Sequence, residues 1–233
     1  MKRQYRYYDL LLVAFVVVLL CSNFIGAGKT ATLNLPGLGP VVFGAGILFF
    51  PISYFFGDIL TEVYGYAYDR RAVWAGFSAL AFAAVMAQVV IALPVTQGEY
   101  MANYQHGMET VFGNSWRIAL ASMLSFWLGS FINSFVLAKM KIWTNGQYLW
   151  MRTIGSTAAG ELIDSSCFYL SAFYGVWPLE TILQVALVQY FLKTAWEVLA
   201  TPLTYLAVSF LKKKESEDHY DINTNFNPFR IKV

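Results

Sequence analysis

Charged residues are scarce in this chain. Asp, Glu, Lys and Arg make up 13% of the 233 residues, whereas 58% of the residues are hydrophobic. A soluble domain usually has about 25% charged residues, and the apolar residues here form long continuous runs. This composition excludes a disordered protein and argues against a soluble enzyme. The net charge of +2 is too small to indicate a nucleic-acid partner.

Six apolar stretches are long enough to cross a bilayer, which takes about 20 predominantly apolar residues. The sequence predicts an all-α, polytopic membrane protein with six transmembrane helices in residues 1–211 and a polar cytoplasmic tail in residues 212–233. No small-residue cleavage site follows the first stretch, so we expect it to be retained rather than removed as a signal peptide. The predicted spans are Tyr8–Ala27, Val41–Tyr64, Val73–Leu93, Trp116–Ala138, Ile154–Gly175 and Thr181–Leu211, with a tight turn at Pro36–Pro40.

Basic residues are concentrated on one side of this arrangement. The other side has Lys29 and Arg117, and the predicted loop Pro94–Ser115 has no Lys or Arg. Because Lys and Arg favour the cytoplasmic side, both termini are predicted to be cytoplasmic. The basic side has Lys2, Arg3, Arg6, Arg70, Arg71, Lys139, Lys141, Arg152, Lys212, Lys213 and Lys214. The tail is expected to be mobile, with solvated acids at Glu215, Glu217, Asp218 and Asp221.

Cysteine and histidine are nearly absent. Cys21 and Cys167 lie within apolar runs and are expected to be reduced, buried thiols. His106 and His219 lie outside the predicted spans, which argues against an intramembrane serine protease. No Cys/His spacing indicates a metal site, and no glycine-rich loop indicates a nucleotide or an ATPase domain. The sequence predicts neither an enzyme nor a bound cofactor.

Carboxylic acids occur in pairs inside two predicted spans. Asp58 and Glu62 are four residues apart in the second span, and Glu161 and Asp164 are three apart in the fifth. Both spacings place a pair on one helical face. A charge at the bilayer centre costs about 2.5–3.5 kcal/mol on insertion scales, so such residues usually face a bundle interior or a wet cavity. The two pairs predict a polar path or a binding site.

The sixth span adds Lys193 and Glu197, and Lys193 is the one clear cation in the middle of a span. Five acids and one lysine cannot all stay ionised in a dry core. Some carboxylates must be protonated, hydrated, near the interface, or matched by a bound cation or a donor-rich ligand. Structural ion pairs, such as Lys193 with Glu197 or with Asp164, are the alternative interpretation.

A weak internal similarity suggests two inverted three-helix repeats, an arrangement in which many transporters place the substrate between the halves. Gly57-Asp58 in the second span corresponds to Gly160-Glu161 in the fifth. Asn23 and Asn133 each stand six residues before a lysine, near the ends of the first and fourth spans. Chance similarity is the alternative.

Short motifs stand in order along the predicted spans. They are Ser22-Asn23; Phe50-Pro51 with Asp58-x-x-x-Glu62-x-Tyr64-Gly65; Arg117, Ser122, Gly129 and Asn133; Arg152 with Ser156-Thr157-x-x-Gly160-Glu161-x-x-Asp164; and Lys193-x-x-x-Glu197 with Pro202. In these motifs the chain strongly resembles the queuosine-precursor transporter family, also called the vitamin-uptake-transporter family. The resemblance covers all six spans and leaves out the tail.

This resemblance implies a secondary carrier in the bacterial inner membrane that takes up 7-cyano- or 7-aminomethyl-7-deazaguanine, or queuine, for tRNA modification. A deazaguanine presents adjacent N–H donors, and one carboxylate can accept both in strong, charge-assisted bonds. We therefore expect Asp58, Glu161 and Asp164 to bind the base and Asn23 and Asn133 to orient it.

Coupling or gating is expected of Glu62, Lys193, Glu197 and Arg152. Lys193 with Glu197 would form a switchable pair, and one carboxylate would carry a coupling proton. Glu62 is expected to form a gate or an ion pair near Arg70 and Arg71. Two alternatives stay open: a substrate-binding subunit of an ATP-driven vitamin importer, and a membrane assembly factor. A homodimer also stays open, because six helices are few for a carrier.

Overall fold

A computed structural model describes residues 5–26, 30–35, 39–113 and 116–230. The described part is mainly helical, as predicted, and has one small sheet. Strands β1 (Thr30–Leu35) and β2 (Gly39–Gly44) pair antiparallel, from Thr30 opposite Gly44 to Leu35 opposite Gly39. The α-helices are α1 (Tyr8–Cys21), α2 (Phe50–Tyr64), α3 (Tyr66–Ile91), α4 (Glu99–Phe112), α5 (Trp116–Trp143), α6 (Leu149–Phe173) and α7 (Leu179–Glu215). Lys2, Arg3 and Lys29 lie outside the described residues.

Four helical segments are long and apolar enough to cross a membrane: Tyr8–Ile25, Tyr66–Ile91, Arg117–Trp143 and Leu179–Glu215. Large apolar side chains on these helices point away from the protein; Leu199 is 71% exposed and Phe82 is 68% exposed. Apolar surface of this extent is typical of helices that face lipid. The count of six membrane crossings and the inverted repeat stay predictions.

The predicted second span, Val41–Tyr64, is wrong as a continuous helix. Its first residues belong to β2, a 3-10 helix follows over Ala45–Leu48, and α2 begins only at Phe50. Pro51 lies in the first turn of α2, where its missing N–H removes no helical hydrogen bond. The 15 residues of α2 extend about 22 Å, which is shorter than a hydrocarbon core of about 30 Å. The turn predicted at Pro36–Pro40 includes residues 36–38, which lie outside the described part of the chain.

Gly65 separates α2 from α3. Its φ of +89° suits glycine, and the chain reverses direction there. Helix α3 therefore begins at Tyr66, seven residues before the predicted start at Val73, and its first turns contain Asp69 and Arg70.

The predicted connection Pro94–Ser115 contains a helix that was not expected, α4. This helix follows Gly98, which has a φ of +138°, and none of its residues is buried. Two side-chain bonds join it to α3: Gln88 Nε2 donates to the carbonyl of Phe112 at 2.8 Å, and Gln105 Nε2 donates to that of Ile91 at 2.9 Å. Polar and apolar residues alternate irregularly in α4, so no long apolar run predicted this helix.

Both described ends of the chain meet at one end of the bundle. The backbone N–H of Tyr7, before α1, donates to Glu215 Oε1, at the end of α7, at 2.7 Å. Arg152, near the start of α6, bonds Glu62, near the end of α2, and Lys141, near the end of α5, bonds the Glu62 carbonyl. We call this end, where α1, α3 and α6 begin and α2, α5 and α7 end, the basic end.

Helices α5 and α6 form the most extensive helix pair. A short turn joins them, in which Asn145, Gly146 and Tyr148 have positive φ. Farther along, Gly160 is so close to α5 that a Cβ atom on it would lie 2.8 Å from the Gly129 carbonyl oxygen and 2.9 Å from Asn133 Cβ. Small residues allow such close helix contacts in membranes, and this contact fixes Asn133 against α6.

We expect Gly160→Ala to lower the melting temperature of the detergent-solubilised protein. The added methyl group must displace the α5 backbone, and overpacking of this kind costs about 1–3 kcal/mol. Gly107→Ala in α4 is the matched control, because nothing lies within 4 Å of its Cβ position. Equal melting temperatures for the two variants would contradict the close α5–α6 contact.

Candidate functional site

The side chain of Asp58 lies in the interior of the bundle and is fully buried. Asn133 Nδ2, on α5, donates to Asp58 Oδ1 at 2.8 Å. Asp58 Oδ2 and Asn133 Oδ1 are buried and have no hydrogen-bond partner among the described residues. The pair therefore holds two acceptor oxygens that could receive N–H donors from a ligand. The structure brings together two of the residues that the sequence predicted for substrate binding.

Lys193 on α7 joins the other two predicted acids. Its Nζ lies 2.8 Å from Glu161 Oε2 and 2.7 Å from Asp164 Oδ2. The hydroxyl of Tyr54 lies near the same acids: it and Asp164 Cβ are both about 3 Å from the Cβ position of Gly129. The Tyr54 hydroxyl is buried and has no partner within the described ranges, which makes it a spare donor beside the ion pairs.

The predicted pair of Lys193 with Glu197 is not formed. The side chain of Glu197 is 1% exposed, and both of its carboxylate oxygens lack a hydrogen-bond partner in the part of the chain that the structure describes. The two acids of α6 bind Lys193 because both face α7, which gives the ammonium two charge-assisted bonds instead of one. Glu197 is instead close enough to Asp58 for the two carboxylates to repel each other if both were ionised.

Three cations converge on Glu62 at the basic end. Glu62 Oε1 lies 2.8 Å from an Arg152 nitrogen, 2.6 Å from Lys212 Nζ and 3.4 Å from Lys141 Nζ. Lys141 Nζ also donates to the Glu62 carbonyl at 2.6 Å. Glu62, Arg152 and Lys141 are buried. Glu62 thus forms ion pairs at this end, but with Arg152, Lys141 and Lys212.

The predicted neighbours of Glu62, Arg70 and Arg71, are wrong. Because the chain turns at Gly65, these residues lie on α3 and point elsewhere. Arg71 is exposed, and Arg70 NH1 donates to the carbonyls of Asn225 and Asn227 at 2.7 and 2.9 Å.

The tail, residues 216–230 in the structure, packs against the basic end, and its acids are bound. Asp218 Oδ1 lies 2.6 Å from Lys141 Nζ and 2.8 Å from Lys212 Nζ. The expectation of solvated acids is wrong for Asp221 and for Glu215 at the end of α7, which are buried. Asp221 accepts from the backbone N–H of Tyr66 at 3.0 Å. That N–H begins α3 and has no partner within the helix, so an acidic acceptor stabilises the helix start.

The charge environment of the tail shifts the pKa values of its ionisable groups. Partial burial works to raise the pKa of Asp218, but hydrogen bonds from Lys141 and Lys212 outweigh it and lower that pKa below its usual value. Burial likewise works to raise the pKa of Asp221, but the hydrogen bond from His219 helps to lower that pKa below its usual value. The same bond to Asp221 raises the pKa of His219 above its ordinary value. These shifts favour the ionised forms that bind the tail to the basic end.

Asn23 lies in a different cavity from Asp58 and Asn133. Its Nδ2 donates to the Leu19 carbonyl at 2.9 Å and its Oδ1 accepts from Ser122 Oγ at 2.9 Å. The cavity has a volume of about 100 Å³, lies between the residues that follow α1 and helices α3, α4 and α5, and is also lined by Gln88 and Phe112. A much smaller cavity, of about 10 Å³, is lined by Asn133, Tyr54 and Asp69 and has room for about one water molecule.

Sequence reasoning missed several members of these clusters. Asp69 is buried and accepts a hydrogen bond from Ser134 Oγ, but the predicted third span began after it. Lys141 and Lys212 were counted only as basic residues of the cytoplasmic side. A helical repeat drawn through residues 66–91 would have placed Asp69 on the inner face of α3, together with Val73 and Leu80.

Apolar helices that enclose buried acids and a lysine are typical of membrane proteins that carry polar solutes or ions. The family model described as "Putative vitamin uptake transporter" matches residues 44–207, so the chain belongs to this family. The chain is 32% identical, over 189 residues, to the "Probable queuosine precursor transporter" of Bacillus subtilis (strain 168), covering 81% of this chain and 76% of that protein. No solved structure matches the chain. The protein is thus a multi-pass membrane transporter and not an enzyme, and the predicted family is confirmed.

Replacing Glu62 by Gln should destabilise the protein by about 3 kcal/mol, because removing one partner leaves buried cations uncompensated. A lower melting temperature in detergent would show this loss. Glu180→Gln, at an exposed position in the first turn of α7, is the matched control and should change stability by less than about 0.5 kcal/mol. Equal melting temperatures for the two variants would show that the ionic cluster does not stabilise the protein.

Proposed function

We propose that the protein imports queuosine precursors, either 7-cyano- or 7-aminomethyl-7-deazaguanine or queuine, across the bacterial inner membrane as a secondary carrier. The observation that carries the proposal is the interior set of four acids, Asp58, Glu161, Asp164 and Glu197, of which Lys193 pairs only with Glu161 and Asp164. Similarity to the probable queuosine precursor transporter of Bacillus subtilis supports the choice of substrate. The basic side faces the cytoplasm in this proposal, in keeping with the distribution of Lys and Arg.

The chemistry of the base fits the free atoms of the site. A deazaguanine presents a ring N–H and an amino group side by side, and acceptor oxygens such as Asp58 Oδ2 and Asn133 Oδ1 can receive them. The Tyr54 hydroxyl can donate to the carbonyl of the base. An aminomethyl substituent carries a positive charge, so it can replace Lys193 as the partner of Glu161 or Asp164. Asn23 would contact the base earlier, in the outer cavity.

Transport requires the helices to move. Small-molecule sites usually have volumes of about 300–1,000 Å³, whereas the cavity beside Asn133 has about 10 Å³. At the basic end Glu62 and its three cations join α2, α5, α6 and α7, and a cavity of about 100 Å³ lies at the other end, near Asn23. We interpret this arrangement as a state closed toward the cytoplasm, in which Glu62 and Arg152 form the gate.

Glu197 is the best placed residue to couple import to a proton. An unpaired buried carboxylate is costly in hydrocarbon, and neither oxygen of Glu197 has a partner among the described residues. A proton taken up from the outer side would neutralise Glu197, and its loss to the cytoplasm would make the cycle directional. The nearby Asp58 lets substrate and proton influence each other electrostatically.

Uptake of labelled 7-aminomethyl-7-deazaguanine by cells that cannot synthesise it tests the binding site. Asp58→Asn, Glu161→Gln and Asp164→Asn should each reduce uptake at low substrate concentration at least about tenfold, because a hydrogen bond to a charged group contributes about 1.5–3 kcal/mol. Glu180→Gln should transport as the wild type does. If all three variants insert normally and match the wild type, the site assignment is wrong.

Proteoliposomes that contain this chain alone test the coupling. An imposed proton gradient should drive accumulation by the wild type, whereas Glu197→Gln should lose accumulation and keep exchange of labelled for unlabelled substrate. Accumulation by Glu197→Gln equal to that of the wild type would exclude Glu197 as the proton carrier. Binding without any transport by the wild-type chain would favour the subunit of an ATP-driven importer.

A further inference from the structure

The tail contacts six parts of the basic end. At the α2–α3 junction, the ring of His219 fills the space beside Gly65, and the backbone N–H of His219 donates to the Val63 carbonyl at 3.4 Å. On α3, Trp74 Nε1 donates to the Pro228 carbonyl at 2.7 Å. Further contacts are Tyr5 with Glu217 before α1, Lys139 of α5 over the Phe226 ring at 4.1 Å, Lys212 of α7 with Asp218, and Gly146 of the α5–α6 turn with the Tyr220 hydroxyl. A segment bonded to so many helices restrains all of them at once.

Two lysines of the bundle contact both the tail and the gate residue Glu62. Lys141 and Lys212 each lie against Glu62 and against Asp218. Arg152, Lys141 and Lys212 carry three positive charges against the single carboxylate of Glu62, which leaves an excess of two, and Asp218 reduces that excess to one. Without Asp218 the cations repel one another more strongly, which favours separation of α5, α6 and α7.

We propose that the tail is a clasp that holds the basic end closed and that it must detach before substrate can leave on that side. Detachment is feasible because Asp218, which connects the tail to the gate cations, has a side chain that is 46% exposed. Water and salt can therefore compete for its ion pairs. The clasp rests on the proposed transport cycle but not on the identity of the substrate.

Accessibility of a cysteine behind the gate tests the clasp. The reporter is Ser156→Cys, a buried position on α6 one turn beyond Arg152, in a background with Cys21→Ser and Cys167→Ser. The purified protein in detergent is treated with a charged methanethiosulfonate. Removing residues 216–233 should increase the labelling rate at least about tenfold, because several bonds that favour the closed state are lost. A peptide of residues 216–233, added in trans, should slow labelling again.

Two point variants keep the test decisive if the truncated chain does not fold. Asp218→Asn keeps the backbone contacts of the tail and should increase labelling severalfold. Ile222→Ala changes a tail side chain that is 71% exposed and should label at the rate of the reporter protein. The clasp is refuted if Asp218→Asn labels no faster than Ile222→Ala. Labelling needs no substrate, so a failure to transport queuosine precursors would not produce that result.

Discussion

A charge that leaves water for the interior of a membrane bundle must find a partner, and this constraint organises the protein. At the basic end the constraint is met within the chain, where Glu62 lies against Arg152, Lys141 and Lys212. In the middle it is met in part, because Lys193 serves both Glu161 and Asp164. At Asp58 and Glu197 it is not met by any cation of the described residues. Cations thus pair fully with Glu62 at the basic end and only partly with the acids in the middle of the bundle. We propose that substrate and proton bind at the acids that lack a cation.

The helices are arranged to support these charges. The glycine contact between α5 and α6 fixes Asn133 beside Asp58. Gly65 turns the chain so that α3 begins with a backbone N–H that has no partner within the helix and donates to Asp221. The tail then joins the ionic cluster of Glu62, because Asp218 and Glu62 share two lysines. A transporter must break one closed end to open the other, and ion pairs shared with a surface segment can be broken without exposing an apolar core.

Long apolar runs predicted α1, α3, α5 and α7, because helices that face lipid must be apolar over many turns. The same rule failed for Val41–Tyr64, since a short apolar run can equally be a strand, and residues 41–44 pair with β1. It also failed for α4, whose irregular polarity resembles a loop. Spacing placed Glu161 and Asp164 on one face correctly. It could not show that Lys193 would bind them instead of Glu197, because that choice depends on how α6 and α7 face each other. The partners of the tail acids were hidden for a similar reason: several are backbone N–H groups distant in sequence.

Recognition of the base by buried carboxylate and amide oxygens is the central claim, and a binding titration tests it most directly. The purified protein would be titrated with 7-aminomethyl-7-deazaguanine and with an analogue dimethylated on the 2-amino group. Dimethylation removes both N–H donors of that group and leaves the rest of the base intact. We predict that the analogue binds at least about tenfold more weakly, since a buried acceptor loses its donor. Equal affinity for the two compounds would contradict the account.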